Sequence, residues 1–169
     1  LVTLDLLHRA GVEACLTGLH SGEVTSANGV RVKMDRVLPE IGEEAFLADL
    51  EMLILAGGMD NTIELTCSAQ AKRVIAGAAD KGCKVAAICA APVVLAGMGL
   101  LNGRKAVCYP GMEGSMGTAD VQVGSKVVVD GSFITGQGPG AAFDFALKLV
   151  EVLKGQAVME QVKEEIHYQ

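Results

Sequence analysis

Two short apolar runs constrain the fold of this chain more than any other feature. Met52, Leu53, Ile54, Leu55 and Ala56 follow one another without a polar residue and stop at Gly57-Gly58. Val85, Ala86, Ala87 and Ile88 do the same and stop at Cys89. A strand that buries one face alternates apolar and polar residues, whereas a strand covered on both faces does not. Such runs, each ended by a turn signal, predict central parallel strands with helices on both sides. The segment between them supplies the crossover that a parallel pair requires: Ser68 is a natural N-cap for a helix through Asp80 that closes near Gly82.

The flanking sequence continues the alternation of strand and helix. Val2, Leu4, Leu6 and Leu7 read as an amphipathic helix ended by Gly11, and residues 12–16 alternate as a strand. Residues 30–34 repeat that alternation after the Asn28-Gly29 turn signal. A short helix is expected over 46–50, and another over 91–96 with Pro92 in its first turn. Strands are expected to end at Cys108 and to cover 121–123, 126–129 and 133–135. Gly138-Pro139-Gly140 opens a long helix through about residue 153, and a last helix covers 157–167. No repeat, linker or low-complexity segment divides the 169 residues. The chain therefore reads as a single α/β domain, a three-layer sandwich around a mainly parallel sheet.

Charge and cysteine usage exclude several functions. A net charge of -6, with no basic run interleaved with aromatics, argues against binding nucleic acid or an anionic membrane. No segment approaches the length of a membrane-spanning apolar run. The five cysteines (Cys15, Cys67, Cys83, Cys89, Cys108) form no CxxC pair and no cluster with His8, His20 or His167. Neither a disulfide framework nor a zinc site is expected, so the setting implied is reducing and cytosolic, with no metal. No GxGxxG or phosphate-binding loop follows a strand, so no nucleotide or flavin cofactor is expected.

The candidate chemistry lies where the second run stops. A reactive residue between a buried strand and a helix sits near unpaired N–H groups and the positive end of the helix dipole. Both favour a thiolate over a thiol. The Ala90 amide is then the natural first donor to an oxyanion formed beside the Cys89 sulfur. Most free cysteines are inert core residues. What favours chemistry here is the second loop, because Gly57 and Gly58 also end a predicted parallel strand, where such sheets bind ligands. Gly58 is the better candidate for a second oxyanion donor, and Gly57 permits close backbone approach. Tyr109 follows the strand expected to end at Cys108 and faces the same region, as a phenol donor or as an aromatic wall. No carboxylate within the chain is clearly placed to pair with Cys89.

Four ordered motifs resemble the ThiJ/PfpI superfamily, and within it the DJ-one branch, over nearly the whole chain. They are Leu55-Ala56-Gly57-Gly58, residues 86–92 around Cys89, Cys108-Tyr109-Pro110-Gly111, and residues 136–140 followed by Phe143-Asp144-Phe145. The resemblance implies a flavodoxin-like fold and a homodimer. It also implies a redox-sensitive nucleophile at Cys89 and an oxyanion pocket of the Gly58 and Ala90 amides, with Tyr109 where other members carry His or another aromatic. Ala90, where the protease-like and glyoxalase branches place His, fits the DJ-one branch. The family's first strand, and the glutamate that hydrogen-bonds its cysteine, are expected upstream of Leu1. Ala56 stands where Pro is usual, and Asp60-Asn61 where Pro-Gly is commoner.

Two functions follow from a reactive Cys89. One is cofactor-free conversion of α-oxoaldehydes, or of their adducts on protein or nucleotide groups, to 2-hydroxy acids, with reactive carbonyls or glycated groups as partners. The other is a sensor or stress chaperone switched by oxidation of Cys89 to the sulfinate. A non-catalytic scaffold that binds a partner through its dimer face is a third and blander reading.

Overall fold

The computed structural model describes residues 1–169. In chain order the elements begin with α1 (Val2–Arg9), β1 (Thr17–Gly18), β2 (Glu23–Thr25), β3 (Arg31–Lys33) and β4 (Arg36–Val37). Then come α2 (Leu38–Ile41), α3 (Glu43–Leu47), β5 (Met52–Leu55), α4 (Met59–Cys67), α5 (Ala69–Asp80), β6 (Lys84–Ile88) and α6 (Pro92–Gly97). The last part holds β7 (Lys105–Ala106), β8 (Asp120–Val121), β9 (Val127–Asp130), β10 (Phe133–Gly136), α7 (Ala142–Lys154) and α8 (Gln156–Glu165).

The central sheet has the order β5-β6-β10-β9. β5 and β10 both run parallel to β6, with Leu55 beside Ala87 and Gly136 beside Ile88, and β9 is the antiparallel edge. Successive side chains on a strand point to opposite faces. Leu53, Leu55, Val85, Ala87 and Phe133 therefore meet α5 and α6 through Val74, Ile75, Ala78 and Leu95. Ala86 and Ile134 face the other way, onto Leu6 and Leu7 of α1, Phe145 and Leu149 of α7, and Val162 of α8. Helices on both faces of a mainly parallel sheet make the flavodoxin-like three-layer arrangement. No helix is long and apolar enough to cross a membrane.

Several local expectations need correction. Residues 12–16 keep their alternation, Val12 and Ala14 pack onto the α1/α7 core, and the Leu16 carbonyl accepts the Asp35 and Arg36 N–H groups at 2.9 and 3.2 Å. Only Thr17 and Gly18 pair, with Arg36 and Val37. The helix expected over 46–50 starts earlier, at Glu43, because Gly42 turns the chain at φ 81°. Two glutamates then occupy the first turn, where they complement the helix dipole, and Glu43 also pairs with Arg73 of α5 at 2.6 Å. The strand expected before Tyr109 is confined to Lys105 and Ala106. α4 was not expected at all. Its inward face is carried by Thr62 and by Leu65, which packs on the core, while its apolar Met59 and Ile63 point outward, so its apolar residues follow no single stripe. Ser68 then ends α4 and caps α5, its hydroxyl oxygen accepting the Ala71 N–H at 3.1 Å.

The C-terminal segment is pinned to the start of α7. The Phe143 and Tyr168 rings stack with centroids 5.4 Å apart, and the Tyr168 hydroxyl donates to Asp144 Oδ2 at 2.9 Å. Lys126 Nζ reaches the same carboxylate at 3.1 Å. This donation to Asp144 raises the Tyr168 phenol above its ordinary value.

Helix α7 approaches the sheet most closely at Gly136. A Cβ there would lie 2.7 Å from Cδ2 of Phe145 and 3.0 Å from Cγ1 of Ile88. Phe145 is fully buried and cannot swing away. Gly136→Ala is expected to destabilise the fold by about 1–3 kcal/mol, as overpacking of a close-packed core does. Urea denaturation with an unchanged m-value measures this.

Candidate active site

The C-terminal ends of the three parallel strands lie side by side, and each carries a turn of small residues. β5 leads into Ala56-Gly57-Gly58, β6 into Cys89-Ala90-Ala91, and β10 into Gln137-Gly138. This edge is where parallel α/β sheets bind ligands.

Cys89 turns the chain from β6 into α6 with a φ of 68°, left-handed backbone that costs a residue with a side chain roughly 1–2 kcal/mol. Three contacts hold it there. The Cys89 N–H donates to the Gly136 carbonyl at 2.9 Å, and the Cys89 carbonyl accepts the Tyr109 N–H at 2.8 Å. Gly57 is packed against its side chain. A Cβ on Gly57 would fall 2.6 Å from Cys89 Cβ, 2.8 Å from the Ile88 carbonyl oxygen and 3.3 Å from Cys89 Sγ. Cys89 itself is half-buried, so its sulfur is neither sealed in the core nor free on the surface.

The two glycines of the first loop are needed for different reasons. Gly57 is required for space. Gly58 has open space around it but adopts a φ of 96°, and it forms the N-terminal boundary of α4. Two side chains fix this loop: Asn61 Nδ2 donates to the Ala56 carbonyl at 2.7 Å, and Thr62 Oγ1, which no sequence signal marked, donates to the Gly58 carbonyl at 2.8 Å. Asn61 is half of the pair that stands where Pro-Gly is commoner, so a side-chain hydrogen bond stabilises the loop here. The N–H groups of Gly58 and Ala90 make no backbone hydrogen bond and remain available as donors.

Tyr109 joins the site through its backbone. Its ring lies over Gly138, where an added Cβ would come within 3.2 Å of Tyr109 Cδ2, and its hydroxyl bonds to no protein group. Tyr109 is 46% exposed at the edge of the turn. The signal for Gly138 was present in the sequence as Gly136-Gln137-Gly138. The three histidines lie elsewhere: His8 Nε2 is 2.8 Å from the Ala14 carbonyl, His20 pairs with Glu64 at 3.3 Å, and His167 is in the exposed C-terminal segment. No three His, Cys, Asp or Glu side chains gather as metal ligands.

All five cysteines are free, in distinct surroundings. Cys15 and Cys67 are exposed, and the buried Cys83 Sγ donates to the Leu50 carbonyl at 2.9 Å. Burial pushes the Cys108 thiol up to about 11, with the Glu113 carboxylate adding to the effect. Glu113 is itself held below the usual carboxylate range by its own backbone N–H and that of Gly111, which donates to Oε2 at 2.9 Å.

The sequence profile of the DJ-1/PfpI family matches residues 1–152, and the chain belongs to that family. Among its relatives is protein dj-1beta of Drosophila melanogaster, 33% identical over 164 residues, which are 96% of this chain and 86% of the relative. The crystal structure of that fly protein superposes with a TM-score of 0.93 at 29% identity, covering 99% of this chain and 89% of that one. A protein named glutathione-independent glyoxalase, from Caenorhabditis elegans, is 31% identical over 92% of this chain and 81% of its own length. One named deglycase, from Pyrococcus horikoshii, is 30% identical over 88% of this chain and 87% of its own.

Two outcomes follow from the geometry. Gly57→Ala sets a methyl against the Cys89 side chain and the Ile88 carbonyl; it is expected to destabilise the chain by about 1–3 kcal/mol and to slow Cys89 alkylation more than that of Cys15. Thermal melts and peptide-resolved iodoacetamide labelling measure both. In the wild-type chain at pH 8, only about one Cys108 in a thousand is thiolate. Mass spectrometry should therefore find Cys108 unmodified while Cys15 and Cys67 react, with its labelling rising only as the pH approaches 11.

Proposed function

We propose that this protein is a cofactor-free, cysteine-dependent enzyme that converts α-oxoaldehydes such as methylglyoxal and glyoxal, free or as early adducts on amino groups, into 2-hydroxy acids. The observation that carries the reading is the Cys89 turn: a half-buried thiol in left-handed backbone, beside two N–H groups unused by the fold. Relatives named for glyoxalase and deglycase activity support the substrate class. Those activities act on carbonyl compounds, so carbonyl chemistry is advanced here ahead of oxidation sensing.

The reaction balances without an external oxidant. From an early adduct the C–N bond first breaks, the amine leaving with the hemiaminal proton and the aldehyde re-forming; the Cys89 thiolate then adds to the aldehyde carbon, and the resulting oxyanion is stabilised by the Gly58 and Ala90 amides. The proton on the former aldehyde carbon is then exchanged through water for one on the neighbouring carbonyl carbon, by way of the enediol. The first carbon is thereby oxidised to a thioester while the second is reduced to an alcohol. Water hydrolyses the thioester, releasing lactate from methylglyoxal or glycolate from glyoxal and restoring the thiolate. Cys89 supplies the covalent attachment, and the two loops supply the fixed dipoles. Gly57 leaves room for the thiol beside the first loop, and the Tyr109 ring shields one edge.

Lactate formation from methylglyoxal, measured on the natural polypeptide and its Cys89→Ser variant, tests the reading. Turnover is expected in the wild type and absent in the variant. Equal rates in the two would remove Cys89 from the chemistry and overturn the proposal.

A further inference from the structure

The hydrogen bonds that hold Cys89 close on one buried side chain. The Cys89 N–H donates to Gly136 of β10, and the Cys89 carbonyl accepts from Tyr109. Two residues before Tyr109, the Val107 N–H donates to Oγ1 of Thr135 at 2.9 Å. Thr135 is the residue that precedes Gly136 in β10. The circuit thus runs from β10 to the nucleophile turn, on to the segment that carries Tyr109, and back to β10. Thr135 supplies its only side-chain link.

Packing does not explain that hydroxyl. Thr135 is 1% exposed in a strand whose preceding residues are Phe133 and Ile134, and a β-branched apolar residue would suit both the strand and the core. Of all the buried residues, only Thr62 and Thr135 are polar. Val107 is 2% exposed, so water does not replace the acceptor if it is lost.

We propose that Thr135 is a positioning residue for Cys89. By accepting the Val107 amide it fixes the segment whose next-but-one amide, that of Tyr109, holds the Cys89 carbonyl. It thereby keeps the nucleophile in its left-handed conformation between the Gly57-Gly58 loop and the Ala90 amide. A turn in a conformation that side-chain-bearing residues avoid relaxes when its tethers loosen. The inference rests on Cys89 being the reactive group of the proposed function.

Its test uses a probe that needs no substrate. The rate of Cys89 alkylation by iodoacetamide is followed against pH, peptide by peptide, in the wild type, Thr135→Val and Thr135→Ser. Thr135→Val keeps the shape and loses the acceptor; alkylation is expected to slow about tenfold and its pH midpoint to rise, with Cys15 and Cys67 unchanged. Thr135→Ser keeps the acceptor and is expected to retain the wild-type rate and midpoint. A folded Thr135→Val with the wild-type profile, or a Thr135→Ser that matches Thr135→Val, overturns the inference.

Amide exchange in the wild-type chain provides a measurement that needs no variant. The Val107, Cys89 and Tyr109 N–H groups are expected to exchange through one common opening, and Tyr109 exchanging far faster than Val107 would break the circuit. A wild-type Cys89 no more reactive than Cys15 would count against the proposed function itself, and the amide exchange would still decide the role of Thr135.

Discussion

Strand β6 is the constraint on which the other elements depend. It lies between β5 and β10, and Val85, Ala86 and Ala87 are fully buried against helices on both faces. Every polar group of its backbone has to be satisfied by the two neighbouring strands, because no water reaches it. That requirement brings the ends of all three strands to one edge. The small side chains at Ala86 and Ala87 let both layers close tightly, so β6 ends at a fixed place. Cys89 sits one residue beyond it, and its own N–H extends the pairing with β10 by one more hydrogen bond.

The site is built mainly from backbone. The proposed nucleophile is the one sulfur of Cys89, the two proposed donors are amides, and the tethers that set the turn are carbonyl-to-amide hydrogen bonds. Such groups do not titrate and have few conformers to explore, which suits the proposed role of presenting fixed dipoles to a transient charge. The side chains that matter around it act on the backbone: Asn61 and Thr62 brace the first loop, and Thr135 braces the segment opposite.

Much of this was legible in the sequence. The runs ending at Gly57 and Cys89 predicted the two central strands, and Ser68 and Pro92 marked the starts of α5 and α6. Membership of the DJ-1/PfpI family was legible in the motifs around Cys89 and Gly138. What stayed hidden depends on partners distant in sequence. The exposed Met59 and Ile63 conceal α4, which lies against α5 and α6 and turns only Thr62 and Leu65 inward. Thr135 looked like one more β-former in an apolar run, because nothing local shows that its hydroxyl meets an amide 28 residues away.

The contrast between the two tyrosines has an optical consequence. The chain has no tryptophan, so its near-ultraviolet emission comes from Tyr109 and Tyr168 alone. The Tyr168 phenol donates to a carboxylate, an arrangement that drains the excited state by proton transfer, whereas Tyr109 keeps its hydroxyl free of the protein beside the Cys89 turn. The brighter fluorophore is therefore expected beside the Cys89 turn and the dimmer one near the C-terminus. The chain thus carries its own optical label beside the Cys89 turn.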